Sequence, residues 1–220
     1  MKILITGASG DIGKAAALRF LSLGHSVCGI DLLPAAISHP EYRHFIADIR
    51  CEKELPDIDG ISVIFNNAGS QNSADDIDNN LKGTISVTEK YIRDNTALRS
   101  VLFNASASAV TGQEFPVYTA SKAGVVGYMK NVAIRLAPLG VTVNAISPGG
   151  VYTSLNDPVV KDPVLWKRIM DVTPMKKWMS VEEVADWVVF LTLTNKSMSG
   201  QNLLIDNGES DLNPTFVWCG

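Results

Sequence analysis

"KILITGASGDIG", residues 2–13, joins an apolar run to a helix start through a glycine-rich turn. The run "KILIT" is continuous, as expected of a strand buried on both faces. The turn opens into "DIGKAAALRFLSLG", residues 11–24, where apolar residues recur at helical spacing and Gly24 provides a stop. Glycines in such a turn let the backbone approach a pyrophosphate, and the helix N-terminus offers free N–H groups and a partial positive charge. A tight strand-to-helix turn needs glycine in any case, so the motif alone also admits a purely structural reading.

The same alternation runs along the chain. "SVCGID" (26–31), "HFIAD" (44–48), "SVIFNN" (62–67), "SVLFNA" (100–105), "VTVNAISPG" (141–149) and "NLLID" (202–206) read as further strands. Helix patterns cover about 76–94, 116–139, 158–171 and 181–193. The polar stretch "SQNSADDIDNN" (70–80) reads as a loop leading into a helix. Apolar strands alternating with helices predict an α/β chain with a seven-stranded parallel sheet, doubly wound and covered on both faces. Nothing in the pattern marks a second domain, so residues 1–220 are expected to form one.

Asp31 ends the second strand, about 20 residues beyond the glycine turn, where an acidic side chain can accept hydrogen bonds from a ribose 2′-hydroxyl. A carboxylate there repels a 2′-phosphate, so NAD is favoured over NADP. The alternative is a strand-end aspartate that caps the next turn.

The 220 residues are 46% hydrophobic and 19% charged, with a net charge of −4, ordinary for a globular protein. No basic stripe suggests a nucleic-acid partner, and no apolar run reaches the ~20 residues that cross a bilayer. The opening "MKILITG" reads as a strand and not as a signal peptide, so a cytoplasmic protein is expected. Cys28, Cys51 and Cys219 are far apart and fit reduced thiols. No cluster with metal-ligand spacing is present. A serine hydrolase would need a base after its nucleophile. His25, His39 and His44 all fall in the first crossovers, and no G-x-S-x-G elbow occurs.

With "NNAG" (66–69) and "YTASK" (118–122) the chain resembles the short-chain dehydrogenase/reductase family. The resemblance runs from "TGASGDIG" to "GQNLLIDNG", through Asp48, Asn80 in "NNLKG", a serine-rich strand end and "PGGVYT" (148–153). It implies a Rossmann fold and an NAD(P)-dependent oxidoreductase interconverting an alcohol and a carbonyl compound. The implied cofactor residues are Gly7, Ser9, Asp11, Ile12 and Gly13 in the turn, Asp31 at the ribose, and Asp48 with Ile49 near the adenine. Asn66, Ala68 and Gly69 then lie beside the cofactor's ribose. Pro148, Gly149, Val151 and Thr153 hold the nicotinamide end. Asn80, Ser106, Tyr118 and Lys122 are the implied catalytic residues, with Tyr118 and Lys122 also touching the cofactor.

Four departures from the family pattern stand out. Asp11 occupies the place of the middle turn glycine, so its side chain must point away from the phosphates; capping the helix is one way. Gly10 stands where NADP-using members often carry a basic residue. The stretches from Asp48 to Asn66 and from Gly69 to Asn80 are short, so peripheral helices should be clipped there. In "NASASAV" (104–110), spacing back from Gly112 selects Ser106, with Ser108 as second choice.

Tyr118 and Lys122, four apart, are neighbours on one helix face. Taken alone, such a pair can be an accident of a surface helix. Within the motif set, the resemblance makes Tyr118 a general acid–base. Two charges ~4 Å apart at an effective dielectric of ~20 interact by about 4 kcal/mol, enough to lower the phenol by roughly three pKa units. Asn80 is expected to hold a water linking Lys122 to solvent.

Residues 153–179 form an expected substrate lid carrying Trp166, Met170, Met175, Trp178 and Met179; these side chains fit either ordinary packing or an apolar substrate wall. Asp157, Lys161 and Lys167 are either contacts for a polar substrate or solvent-facing. The apolar tail "NPTFVWCG" (213–220) is expected to pack on its own domain or on a neighbour. The resemblance also implies a homodimer or homotetramer built partly through helices near 84–95 and 118–137. The rival readings are an NADPH-dependent 3-oxoacyl-type ketoreductase and a non-catalytic dinucleotide-sensing protein.

Overall fold

Ile3, Leu4 and Ile5 are wholly buried, because β1 (Lys2–Thr6) sits in the middle of a parallel sheet with helices on both faces. The structure is a computed structural model that describes residues 1–212. The remaining strands are β2 (Ser26–Asp31), β3 (Tyr42–Ile46), β4 (Ile61–Asn66), β5 (Ser100–Asn104), β6 (Thr142–Pro148) and β7 (Asn202–Ile205). Their order is β3-β2-β1-β4-β5-β6-β7, and every pairing is parallel. The order reverses between β1 and β4. Crossovers leave to opposite faces there, and a crevice opens at the carboxyl ends of those strands.

The two faces have separate cores. One packs Leu4, Ile64 and Phe103 against Met129 of α4 (Pro116–Leu136). The other packs Ile5 and Phe65 against Phe20 of α1 (Asp11–Ser22) and Val188 of α7 (Val181–Val189). The expected single-domain, seven-stranded α/β architecture is the one observed.

Several boundaries differ from the sequence reading. The third strand runs over Tyr42–Ile46, two residues earlier than "HFIAD", because Val27 to Asp31 pair with Tyr42 to Ile46. The 76–94 helix begins as a π-helical stretch, Ile77–Gly83, before α2 (Thr84–Ile92). The 158–171 pattern divides into α5 (Asp157–Val160) and α6 (Pro163–Val172). Proline at 163 cannot continue a helix but suits a first turn, and Asp162 caps α6 by accepting from the N–H groups of Val164 and Leu165. A short helix, α3 (Ser108–Thr111), was not expected. The crossover after Asp48 holds only a 3-10 turn, Glu52–Glu54, in keeping with the clipped spacing. Gly24 ends α1 with φ +77°.

Cys28 is buried, Cys51 partly so, and both are free thiols. Among the described residues no helix is long and apolar enough to cross a membrane, and none group to hold a metal ion. The expected packing of the tail at 213–220 lies outside the described residues.

Candidate active site

A cavity of about 630 Å³ opens in the crevice at the strand ends. At one end lies the turn after β1. Gly7 has φ +66°, and a Cβ there would stand 2.8 Å from the Ala68 Cα. A Cβ on Gly13 would meet the Gly7 carbonyl oxygen at 2.0 Å. Both glycines let α1 and the β4 loop press against the turn. Gly7, Ser9 and Ile12 line the cavity; Gly13 lies behind it, as packing.

Asp11 also lines the cavity but does not cap α1, correcting the expectation. Gly10 is the cap residue and Asp11 the first helical one. The Asp11 carboxylate instead accepts from both the N–H and the hydroxyl of Ser154, each at 2.7 Å. The charge is thereby anchored on the segment after β6.

Asp31 accepts from the Ser9 N–H and the Leu33 N–H, both at 2.9 Å. It thus caps the turn after β2, braces the glycine loop, and still lines the cavity. Asp48 lines the cavity beside Ile49. The Arg50 guanidinium, 2.7 Å away, holds its carboxyl below the usual range. Ala68, Gly69, Pro148, Gly149, Val151 and Thr153 also line the cavity.

Asn66 does not reach the cavity. It is buried, and its amide donates to the Thr88 hydroxyl at 3.0 Å. Its neighbour Asn67 takes the place expected of it. Asn67 lines the cavity, donates to the carbonyls of Thr6 and Gly7, and accepts from Asn104 at 2.9 Å. The doubled asparagine of "NNAG" left the choice open, and strand alternation turns the first one inward.

Ser106, Tyr118 and Lys122 converge at the far end. Lys122 is 5% exposed, and its ammonium donates to the Asn104 carbonyl at 2.8 Å. Burial pushes its pKa down to about 8, against the pull of Asp76. Tyr118 is pushed up to about 12, by burial first, with Glu114 and Asp76 adding to the rise; the Ser106 hydroxyl beside it works the other way. The expected lowering of the phenol by Lys122 is therefore not what the structure gives. The ammonium is committed to a carbonyl, 5.8 Å from the phenol ring centroid, and burial of the phenol dominates, with two carboxylates adding to it.

Ser106 faces Tyr118, whereas Ser108 donates to Glu114 Oε2 at 2.6 Å. The two serines are themselves linked at 3.1 Å. Asn80 lies behind the wall and does not line the cavity. It accepts from the Ser70 N–H at 2.7 Å and donates to the Ser70 carbonyl and the Ser121 hydroxyl, each at 2.9 Å. A Cβ on Gly69 would sit 2.9 Å from Asn80 Oδ1 and 3.4 Å from Lys122 Nζ. Glycine keeps that gap open.

Sequence reasoning passed over Asn67, Asp76, Glu114 and Glu209. Asp76 is wholly buried and accepts from the Ser70 hydroxyl at 2.7 Å. An aspartate inside a polar loop gives no sign of burial. In the 153–179 segment, Trp178 and Met179 are buried while Met175 is exposed. Tyr152, Trp166 and Trp178 stack on one another, the two tryptophans edge to face at 5.1 Å between ring centroids. Trp178 lines the cavity. Lys161 pairs with Asp157 and Lys167 with Asp171 on the surface.

The cradle fits a dinucleotide. The cavity, lined there by Gly7, Ser9, Gly10 and Ile12, opens at the α1 N-terminus, where a pyrophosphate would be held, and Asp31 stands at the strand end beside it.

A family model described as Enoyl-(Acyl carrier protein) reductase matches residues 57–210. The chain is 28% identical to glucose 1-dehydrogenase of Gluconobacter oxydans, over 94% of this chain and 91% of that one. It is 28% identical to a 3-oxoacyl-(acyl-carrier-protein) reductase of Buchnera aphidicola, over 93% and 95%. Among solved structures, a putative 2-deoxy-D-gluconate 3-dehydrogenase of Agrobacterium tumefaciens with bound NADP superposes with TM-score 0.83 at 26% identity, over 94% and 95%.

Proposed function

We propose an activity on this premise: the chain belongs to the short-chain dehydrogenase/reductase family of oxidoreductases. The reading is an NAD-dependent dehydrogenase that interconverts an alcohol and a ketone or aldehyde. One observation carries it: Ser106, Tyr118 and Lys122 meet at one end of a cavity whose other end is the glycine turn with Asp31.

Bound nicotinamide supplies the hydride acceptor and, when oxidised, a positive charge near the phenol. The chain's own groups do the rest. An alcohol oxygen lies between Ser106 and Tyr118. Ser106 orients it, and Tyr118, once deprotonated, takes its proton. Lys122, one N–H on the Asn104 carbonyl, turns its remaining donors to the cofactor's ribose. Asn80 fixes the loop at Ser70 behind Lys122 and continues the polar path beyond it. In the reverse direction Tyr118 returns the proton to a carbonyl oxygen. Gly7, Ser9, Ile12 and Asn67 hold the pyrophosphate end. Asp31 receives the ribose hydroxyls and repels a 2′-phosphate, which favours NAD. Residues 153–179 act as the lid, and α2 and α4 supply the faces of a dimer or tetramer in the cytoplasm.

The test is a panel of secondary alcohols with NAD, read by the absorbance of reduced nicotinamide. Turnover should disappear in Tyr118→Phe while NAD affinity stays within about twofold. Full activity in that variant would refute the assignment. Since a relative is a 3-oxoacyl reductase, NADPH-driven ketoreduction is the second reading; a preference for NADPH over NADH would select it.

A further inference from the structure

We infer that the substrate end of the cavity is built for a neutral polyhydroxylated compound, a sugar or polyol, and discriminates against one bearing a carboxylate. The inference rests on the placement of substrate between Ser106 and Tyr118.

Glu114 carries the argument. It stands in the loop before α4 with φ +72°, a left-handed backbone that only a few per cent of non-glycine residues adopt. Two elements hold it there. The Ser108 hydroxyl donates at 2.6 Å and the Gln71 amide at 3.2 Å. Both bonds end on Oε2, and among the described residues nothing donates to Oε1. A held carboxylate with one free oxygen is an acceptor for hydroxyl groups. It lines the cavity within electrostatic reach of Tyr118, whose phenol it helps to raise.

Two further groups share this end. Glu209 lines the cavity, and burial, Asp206 and Glu114 together push its carboxyl up. Trp178, 8% exposed, lines the cavity from the lid with its indole edge packed on Gly150, where a Cβ would stand 2.0 Å from Nε1. A polyol hydroxyl can donate to the free oxygen of Glu114. Among the described residues that line the cavity, Lys122 is the single cation, and its ammonium is committed to Asn104. A substrate carboxylate would thus meet the Glu114 charge and no free cation.

The test uses the full chain with matched pairs, aldoses and alditols against the corresponding aldonates. Binding is read by tryptophan fluorescence in the cofactor-loaded Tyr118→Phe protein, and kcat/KM in the parent. Neutral compounds should be favoured at least about tenfold in both. In Glu114→Gln that preference should fall to within about threefold. Glu209→Gln, a second conservative change, should reduce it in the same direction. Equal binding of the two classes, preference for the aldonates, or unchanged discrimination in both variants overturns the inference. Neutral-selective binding in a protein that turns over nothing would leave this inference standing and sink the redox reading. Turnover without such selectivity does the reverse.

Discussion

Lys122 points its ammonium at the Asn104 carbonyl, 2.8 Å away at the end of the neighbouring strand, and not at the Tyr118 phenol one helical turn before it. The lysine thereby ties α4 to β5, and the phenol is left to its burial and to Ser106, Glu114 and Asp76. The pair was legible in sequence as two neighbours on a helix; which group each one addresses was not.

A buried lysine makes stability depend on pH. Its folded pKa is about 8 against an ordinary 10.5. Between those values the unfolded chain binds more protons, so this contribution makes the fold more stable as pH rises from about 8 to 10.5. The whole effect amounts to about 3 kcal/mol. Lys122→Met abolishes it. Denaturant unfolding of parent and variant across that window should show the variant's relative stability falling with pH; a constant difference would count against the burial argument.

Glu114 raises the Tyr118 pKa, so Glu114→Gln should lower it. The pH at which alcohol oxidation rises should move downward in the variant, as read from kcat/KM profiles. An upward move would show that Glu114 does not act on the phenol through its charge.

Asp31 combines two roles that separate by substitution. Asp31→Asn keeps an acceptor for one of the two N–H groups now bound but removes the charge. NAD over NADP selectivity should drop by about tenfold or more, since a charge opposite a phosphate is a repulsive element. The melting temperature should fall less than in Asp31→Ala, which loses both bonds. Unchanged selectivity in Asn would place the discrimination elsewhere.

Two glycine-to-alanine changes should behave oppositely. At Gly13 the new Cβ meets backbone at 2.0 Å, so Gly13→Ala should cost about 1–3 kcal/mol and weaken cofactor binding. At Gly127, inside α4, nothing lies within 4 Å, so alanine should stabilise by about 0.5–1 kcal/mol. Thermal melts of both variants decide it.

Hydrophobic period and glycine placement by themselves determined the strand and helix sequence, the parallel sheet, the crevice at the first turn and the Tyr118–Lys122 spacing. These are local signals, written in the residues that obey them. Only the tertiary structure decided that Asn67 and not Asn66 faces the cavity, that Asp11 binds Ser154, and that the 158–171 helix breaks before Pro163. It also decided that Glu114 and Glu209 share the substrate end with Trp178. Charge and hydrogen-bond partners come from segments far apart in the chain, brought together by the crossovers. A phenol's proton affinity follows from what burial and those distant carboxylates do to it, which no spacing along the chain records.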